Sequence, residues 1–357
     1  MNAYASALER VLRPAVEAGE IPGATAVAGT ASDRCPPVAL GVRRSGGAAV
    51  TFDTRYDLAS LTKVVGTLPS VLRLAGEGEV GLDDRLGRYF SNAGWFQSPS
   101  LADVTPRALL THTAGLPSWA PLFARAPSRL TARAAVLQSE VPHPQGRVRY
   151  SDLGFMLAGM LVERVSGLRL DAFVHAHLAA PLGLDGLAYG PLRGAPVAAT
   201  EDCGWRMRLL EGEVHDENAW VMDGVAGHAG LFGTADDLAG YAQAWLRRDA
   251  RLAPPELLDQ ATTRHTPEDA PARGLGWVLS GPGGARLSHD DREPSVDWRG
   301  PHGFGHTGFT GTSLWIDPAA GTFAVLLTNR VHPHRAGGQA IGRIRRDLHR
   351  AVAEVAA

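Results

Sequence analysis

Apolar residues recur at helical spacing near both ends of the chain, with polar residues between them. The first stripe consists of Leu8, Val11, Leu12 and Val16, and the second consists of Ile341, Ile344, Leu348, Val352 and Val355. Residues three and four apart lie on one face of an α-helix. Gly19 and Pro22 end the first helical pattern. The sequence therefore predicts an amphipathic helix near each end.

Between these helices, β-prone runs separated by turn residues predict short strands. Three runs follow the first helix, at residues 24–28, 38–42 and 49–52. Two more, at residues 312–316 and 322–328, flank an Asp-Pro turn and precede the last helix. We expect one antiparallel sheet built from both ends of the chain, with the terminal helices covering one face.

The middle of the chain, residues 58–250, has the pattern of helices joined by long loops. Thr105 followed by Pro106 is typical of a helix start, and the apolar pattern at residues 153–165 stops at Gly167. The predicted fold class is α/β in the broad sense (α+β). Residues 1–75 and 240–357 should hold the antiparallel sheet, and residues 76–239 should form a mostly helical inserted region, the two making one composite unit.

Composition argues against several classes of protein. The 357 residues carry a net charge of −2 and no basic stripe, so we expect neither nucleic acid nor a membrane as a partner. Two cysteines, Cys35 and Cys203, make no disulfide framework. The chain starts without a signal-peptide pattern and has no apolar run of membrane-spanning length. We expect a cytoplasmic protein, or a periplasmic or secreted one if a leader was removed; the oligomeric state is not indicated.

Three residues in two places could form the centre of a nucleophilic site. Ser60 and Lys63 stand three residues apart at a predicted helix start, which puts both side chains on one face. The helix dipole there favours charge on an attacking hydroxyl, and an adjacent lysine can take its proton. Tyr150 precedes the helix at residues 153–165, where a phenol can protonate a leaving group. Taken alone, a surface turn and a packed tyrosine are the commoner interpretations.

A third element, His306-Thr307-Gly308-Phe309, leads into the strand at residues 312–316. Gly308 has no side chain, so a ligand can approach the backbone closely. The Phe309 amide can then join the Ser60 amide in an oxyanion hole. A plain turn or bulge is the alternative for this element alone.

The order of these elements matches the set Ser-x-x-Lys, Ser-Asp-Asn and Lys-Thr-Gly of penicillin-recognising serine enzymes. The chain resembles the serine β-lactamase and penicillin-binding protein superfamily, especially its class C-like branch, in which tyrosine begins the second element. Residues 109–117 and 227–238 are similar to further segments of that branch. The resemblance extends from about residue 5 to residue 355. It implies a β-lactamase/DD-peptidase-like fold and a serine hydrolase without a cofactor.

The resemblance also implies a role for each candidate residue. Ser60 is the nucleophile, Lys63 and Tyr150 transfer protons, and the amides of Ser60 and Phe309 hold the oxyanion before water completes deacylation. The residues expected to contact substrate are Asp152, His306, Thr307 and Gly308.

Two of these positions depart from the family pattern. His306 stands where the family has lysine, and an imidazole anchors a substrate carboxylate more weakly than an ammonium group. Asp152 stands where asparagine is usual, and a carboxylate near Lys63 would keep that lysine charged unless it points elsewhere. Both departures favour an esterase or amidase over a dedicated β-lactamase. The substrate class remains small molecules or peptide-like compounds.

The predicted function is hydrolysis of an ester or amide through an acyl intermediate on Ser60, with three alternatives. A β-lactamase or DD-peptidase would share the mechanism. Residues 214–219 are similar to a segment of the branch that includes muropeptide amidases, which suggests an N-acetylmuramyl-L-alanine amidase, although a solvated loop explains them equally well. A non-catalytic penicillin-binding-like sensor is the third alternative, and the intact Ser60, Lys63 and Tyr150 argue against it.

The other histidines and the tryptophans have plainer interpretations. His112 is expected to be a structural hydrogen-bonding residue beside a Gly-Leu-Pro turn. No metal ion is predicted, because metal-site spacing is absent around His215, Glu217, His332 and His334. Pocket walls and core packing are both open for Trp205, Trp220, Trp277 and Trp298.

Overall fold

A six-stranded antiparallel sheet forms the centre of the fold. The computed structural model describes residues 2–90, 99–280, 303–337 and 339–356. The strands of this sheet and of two smaller ones are, in chain order, β1 (Gly23–Thr30), β2 (Val38–Gly41), β3 (Tyr56–Asp57), β4 (Ala188–Tyr189), β5 (Asp202–Cys203), β6 (Arg208–Leu209), β7 (Leu231–Gly233), β8 (Val278–Leu279), β9 (Phe304–Thr307), β10 (Ser313–Asp317) and β11 (Thr322–Thr328). The strand order in the six-stranded sheet is β2-β1-β11-β10-β9-β8. Ala24 lies opposite Thr328 and Thr30 opposite Thr322, so the prediction of one sheet built from both ends is confirmed.

Helices cover this sheet and fill the middle of the chain. They are α1 (Ala3–Glu17), α2 (Leu68–Gly76), α3 (Gly87–Phe90), α4 (Pro99–Ala102), α5 (Pro106–Leu110), α6 (Arg129–Leu137), α7 (Asp152–Ser166), α8 (Leu170–Val174), α9 (Ala180–Leu182), α10 (Glu217–Val221), α11 (Ala235–Leu246), α12 (Pro255–Ala261) and α13 (Ile341–Ala356). The terminal helices α1 and α13 pack on each other and against β1 and β11, and α11 packs against the same two strands. Every residue of β11 is buried, so helices cover both of its faces.

The predicted strand at residues 49–52 is wrong. Ala49 forms a single bridge with Val42, and the Thr54 hydroxyl accepts a hydrogen bond from the Thr51 amide at 2.9 Å. Local side-chain bonding of this kind competes with strand pairing, and Phe52 is left exposed. The runs at residues 24–28, 38–42, 312–316 and 322–328 are confirmed as β1, β2, β10 and β11, with ends that shift by at most two residues.

The middle of the chain is mostly helical, as predicted, but it also holds two small sheets. One has the order β3-β7-β4, and the other pairs β5 with β6. Thr105 caps α5 and Gly167 ends α7 with a φ of 72°, both as expected. Every residue from Asp152 to Val162 is buried, so α7 is the helix around which this part packs. The division into residues 1–75 with 240–357 and residues 76–239 stays a prediction.

Three features of the described residues concern membrane spans, metal sites and cysteines. None of their helices is both long enough and apolar enough to cross a bilayer. They contain no group of three or more His, Cys, Asp or Glu side chains that could hold a metal ion. Cys35 and Cys203 are both buried free thiols.

Candidate active site

A strained turn presents Ser60 directly after strand β3. Ala59 has a φ of 47°, in the left-handed region that residues with a side chain seldom adopt. The buried Asp57 carboxylate fixes this turn, because it accepts from the Ala59 amide at 2.8 Å and from the His215 amide at 2.6 Å. Such strain persists only where the surroundings enforce it, and it is frequent at functional sites. Ser60 therefore stands at a rigid point at the start of a helix.

Lys63 lies one turn after Ser60 and is fully buried. Its Nζ lies 2.9 Å from Ser60 Oγ, 2.7 Å from a carboxylate oxygen of Asp152 and 3.2 Å from the carbonyl oxygen of His228. Lys63 also begins a π-helical turn that runs to Thr67 and leads into α2, an irregularity often found at functional sites. The predicted contact between the hydroxyl and the amine is present.

The pKa of Lys63 reflects two opposed effects. Burial lowers it, but the Asp152 carboxylate and the Tyr150 phenol favour the charged form more strongly, so the pKa lies above its ordinary value. The Asp152 side chain points towards Lys63, so a carboxylate that favours the charged form of this lysine is in place.

Tyr150 completes the group around Ser60. Side-chain hydrogen bonds link its phenol to Lys63 and to Ser60, and Lys63 Nζ lies 4.9 Å from the centre of its ring. Burial raises the pKa of the phenol, and the nearby Lys63 charge counteracts part of that rise. The structure thus brings together all three residues for which catalytic roles were predicted, and those roles stay predictions.

His112 and Ser151 hold Tyr150 in place. His112 Nδ1 accepts a hydrogen bond from the Ser151 amide at 3.0 Å, and the His112 ring lies 4.5 Å from the Tyr150 ring. The Ser151 hydroxyl donates to the Pro117 carbonyl at 2.6 Å. Burial and neighbouring cations hold the pKa of His112 well below its usual range, so the ring is neutral. His112 thus makes a hydrogen bond of the kind that was predicted for it, and its structural role stays a prediction.

His306 lies behind Tyr150 and is buried. Its side chain is 1% exposed, its ring centre lies 6.0 Å from that of Tyr150, and its Nδ1 donates to the Thr307 carbonyl at 2.7 Å. Burial first, and then the charges of Lys63 and Arg273, lower the pKa of His306 to about 3. The imidazole is therefore neutral, and a direct contact with substrate would require its neighbours to move.

The segment after β9 packs against the Ser60 turn. The hydroxyls of Thr310 and Thr312 donate to the carbonyls of Asp57 and Leu58 at 2.7 and 3.1 Å. A Cβ added at Gly308 would lie 2.5 Å from the Leu58 carbonyl oxygen, so only glycine fits there without displacement. The close approach predicted for this glycine is thus to the protein's own backbone.

The amides proposed for an oxyanion hole lie on these two adjoining segments. Among the described residues, neither the Ser60 amide nor the Phe309 amide donates a hydrogen bond. The Phe309 ring is half-exposed and stacks on the His215 ring at 5.6 Å. This agrees with the oxyanion hole predicted for the two amides, and that role stays a prediction.

A polar network that was not predicted from the sequence holds His215, whose ring stacks on that of Phe309. His215 Nε2 lies 2.9 Å from a Glu201 oxygen, and Arg335 joins Glu201 to Glu217 at 2.6 and 2.7 Å. His228 pairs in the same way with Asp216 at 2.8 Å. No local motif pointed to Glu201 or Arg335, because the pairing joins residues more than one hundred positions apart. The segment at residues 214–219 is tied to the Ser60 turn by the His215 amide, which donates to the Asp57 carboxylate at 2.6 Å.

Three of the four tryptophans of interest can be assigned to a surface or to the core. Trp277 is buried against Trp245, whereas Trp205 and Trp220 are 48% and 36% exposed. The last two belong to a row of four aromatic rings, which we call the aromatic surface. Its members are Trp119, Phe123, Trp205 and Trp220, and the centres of neighbouring rings lie 5.0 to 6.3 Å apart. Trp298 lies outside the described residues.

The aromatic surface adjoins the site. Trp119 follows Ser118, whose carbonyl accepts from the Asp152 amide at 2.9 Å. On its other side, the Arg206 guanidinium lies 5.4 Å from the Trp205 ring and 5.1 Å from the Trp220 ring, and donates to the His215 carbonyl at 3.1 Å.

Comparison with known proteins agrees with this architecture. The structure resembles EstCE1, a hydrolase with promiscuous acyltransferase activity, with a TM-score of 0.77 at 21% identity over 98% of both chains. It also resembles the LovD6 mutant of simvastatin synthase from Aspergillus terreus, with a TM-score of 0.74 at 23% identity over 98% of this chain and 94% of that one. At these identities the likeness establishes the β-lactamase/DD-peptidase-like fold that was predicted.

Sequence comparison goes further. A putative D-alanyl-D-alanine carboxypeptidase of Salmonella enteritidis PT4 (strain P125109) is 32% identical over 316 residues, which are 79% of this chain and 71% of that protein. The Beta-lactamase family model matches residues 8–348. The chain therefore belongs to the β-lactamase family, and it is a serine hydrolase of the β-lactamase and penicillin-binding protein superfamily.

Proposed function

We propose that this hydrolase cleaves an ester or amide bond through an acyl intermediate on Ser60. One observation carries the proposal: Lys63 Nζ lies 2.9 Å from Ser60 Oγ, and the Tyr150 phenol bonds to both side chains. Hydroxyl, amine and phenol are then within hydrogen-bonding reach of one another, as proton transfer during nucleophilic attack requires.

In this mechanism Ser60 Oγ attacks the substrate carbonyl and its proton passes to the Lys63–Tyr150 pair. The amides of Ser60 and Phe309 stabilise the oxyanion, a contribution typically worth about 3–4 kcal/mol for one donor. Tyr150 returns the proton to the leaving group, which departs as an alcohol or amine. A water molecule then attacks the acyl carbon and gives its proton to the same pair. The bond from the acyl carbon to Ser60 Oγ breaks, Oγ takes the proton back from the pair, and the acid is released.

The aromatic surface favours substrates with an apolar or aromatic group on one side of the scissile bond. Half-exposed indoles lose contact with water when an apolar group covers them, which is favourable by about 25 cal/mol per Å². Aryl and medium-chain acyl esters are therefore the first substrates to test.

A D-alanyl-D-alanine carboxypeptidase is the second candidate, and the name of the Salmonella relative favours it. Against it stands the neutral, buried His306, which supplies no positive charge for the terminal carboxylate of such a peptide.

The test is a substrate panel assayed with wild-type enzyme, Ser60→Ala and Ser70→Ala. The panel contains p-nitrophenyl acetate and octanoate, nitrocefin, a peptide ending in D-alanyl-D-alanine and an N-acetylmuramyl peptide. Ser70 is the matched control, because its hydroxyl donates to the carbonyl of Gly66, four residues earlier in the π-helical turn that leads into α2. We expect ester turnover by the wild type and by Ser70→Ala, and none by a folded Ser60→Ala. Wild-type rates in the Ser60 variant would refute the proposal.

A further inference from the structure

The surroundings of Lys63 are those of a charged ammonium group. Asp152 Oδ1 forms an ion pair with Nζ at 2.7 Å, Ser60 Oγ and the His228 carbonyl lie 2.9 and 3.2 Å from it, and the Tyr150 phenol also bonds to it. An ammonium group is a donor only, so surroundings made of oxygen atoms favour the charged form. The side chain is fully buried, and a buried charge persists only when it is paired. The Asp152 carboxylate, on the first turn of α7, provides that pairing.

The other titratable groups near Lys63 do not duplicate this role. His112 and His306 are neutral, and Tyr150 is a protonated phenol with a raised pKa. The Arg273 guanidinium lies on the Tyr150 ring, 5.8 Å from its centre, and as a cation it disfavours charge on Lys63. Asp216 is engaged with His228. Asp152 is thus the carboxylate in direct contact with the amine.

We propose that Asp152 keeps Lys63 protonated in the free enzyme and thereby sets the pH above which Ser60 is activated. This inference rests on the proposed function. In this inference Asp152 acts through its contact with Lys63, so its role is that of a positioning residue. An asparagine, usual in the family at this position, has no charge with which to do the same.

The sign of the effect follows from the proton balance. Lys63 must release one proton to solvent before its free amine can accept the proton of Ser60 as Oγ bonds to the carbonyl carbon. A neighbouring anion stabilises the ammonium form and moves this release to higher pH. If Tyr150 is the group that must ionise, the sign is the same, because the Asp152 charge also raises the pKa of the phenol.

The experiment compares wild type, Asp152→Asn, Asp152→Glu and Asp236→Asn. Asp236 also lies in the first turn of a helix, but it is exposed and pairs with Arg34 at 2.8 Å. The readouts are kcat/KM for a p-nitrophenyl ester and the rate of Ser60 modification by a fluorophosphonate, both as functions of pH. We expect the rising limb of both profiles to move down by about 1–3 pH units in Asp152→Asn. The Glu variant and the Asp236 control should keep the wild-type limb.

A limb that stays in place or moves up in Asp152→Asn overturns the inference. The wild type provides a second test that does not depend on folding of a variant: a profile already flat below about pH 8 contradicts a stabilised ammonium. Failure of the fluorophosphonate to modify Ser60 counts against the proposed function. If the fluorophosphonate modifies Ser60 normally, but the rising limb of the pH profile is the same in wild type and Asp152→Asn, the result counts against this inference and not against the proposed function.

Discussion

His306 occupies the position at which the family usually has lysine, and its ring is buried near Lys63 and Arg273. Its neutral state removes a third positive charge from a small volume, which makes the buried ammonium of Lys63 easier to accommodate. Histidine in place of lysine therefore affects the balance of charges around Lys63 and Arg273, and not only the affinity for a substrate carboxylate.

Restoring the family residue with His306→Lys should destabilise the protein. The new ammonium group would be buried near two cations, and an uncompensated buried charge costs about 3–5 kcal/mol. Urea unfolding of His306→Lys and of the neutral control His306→Gln measures the difference. A lysine variant as stable as the glutamine variant would contradict this account of the pocket.

At this scale the sequence predicts contacts that depend on local spacing. Ser60 and Lys63 meet because three residues make nearly one helical turn. The inward direction of Asp152 and the left-handed turn at Ala59 could not be predicted, because both depend on packing between distant segments. An aspartate two residues before Ala59 was the available signal for the turn, since Asp side chains often bond to the backbone two residues on.

The start of α7 is the element that aligns Tyr150 with Lys63. Ser151 caps this helix by accepting from the Gly154 amide at 3.2 Å, and its hydroxyl also donates to the Pro117 carbonyl. Because Ser151 lies between Tyr150 and Asp152, one cap fixes both side chains relative to the buried lysine.

Ser151→Ala should therefore lower stability and turnover together. Loss of the cap costs about 1–2 kcal/mol, and freedom of the preceding residue should lower kcat more than it raises KM. Ser128→Ala removes the cap of α6 and should lower stability by a similar amount with kcat unchanged. Thermal unfolding and ester kinetics measure both effects. Equal effects on kcat in the two variants would rule out a special role for the α7 cap.

Helix ends were the elements that sequence patterns predicted best, as Thr105 and Gly167 illustrate. Their capping chemistry is local and follows from residue type. Residues 49–52 failed as a strand because pairing needs a partner across space, and there the Thr54 hydroxyl bonds to the Thr51 amide instead.

The whole molecule depends on contacts between its two ends. β1 pairs with β11 along seven residue pairs, and α1 packs on α13 beside them. The same sheet carries the site, since its strands β9 and β10 flank the Gly308 segment that packs on the Ser60 turn. Closing the chain on itself is therefore a condition for assembling the site.

Ile344→Ala, in the buried face of α13, should weaken the entire fold. Deleting a fully buried isoleucine side chain costs about 2–5 kcal/mol, and one sheet from both ends should unfold in one transition. Glu354→Ala, on the exposed face of the same helix, should stay within about 0.5 kcal/mol of wild type. Urea titration followed by fluorescence and circular dichroism measures both. Transitions that separate between the two signals would contradict a single cooperative unit.

At this scale the order of elements was predictable from the change of hydrophobic period along the chain. The polar network of Glu201, His215 and Arg335 was not, because it joins three distant segments without a motif.

The central claim is that the Ser60 hydroxyl is the nucleophile, and covalent modification tests it most directly. Wild type and Ser60→Ala are treated with a fluorophosphonate, and peptide mass spectrometry is run beside the residual ester activity. The account predicts one adduct on the peptide that contains Ser60, activity lost in proportion to it, and no adduct in the variant. Inactivation with the adduct on another residue, or full activity with Ser60 modified, would contradict it.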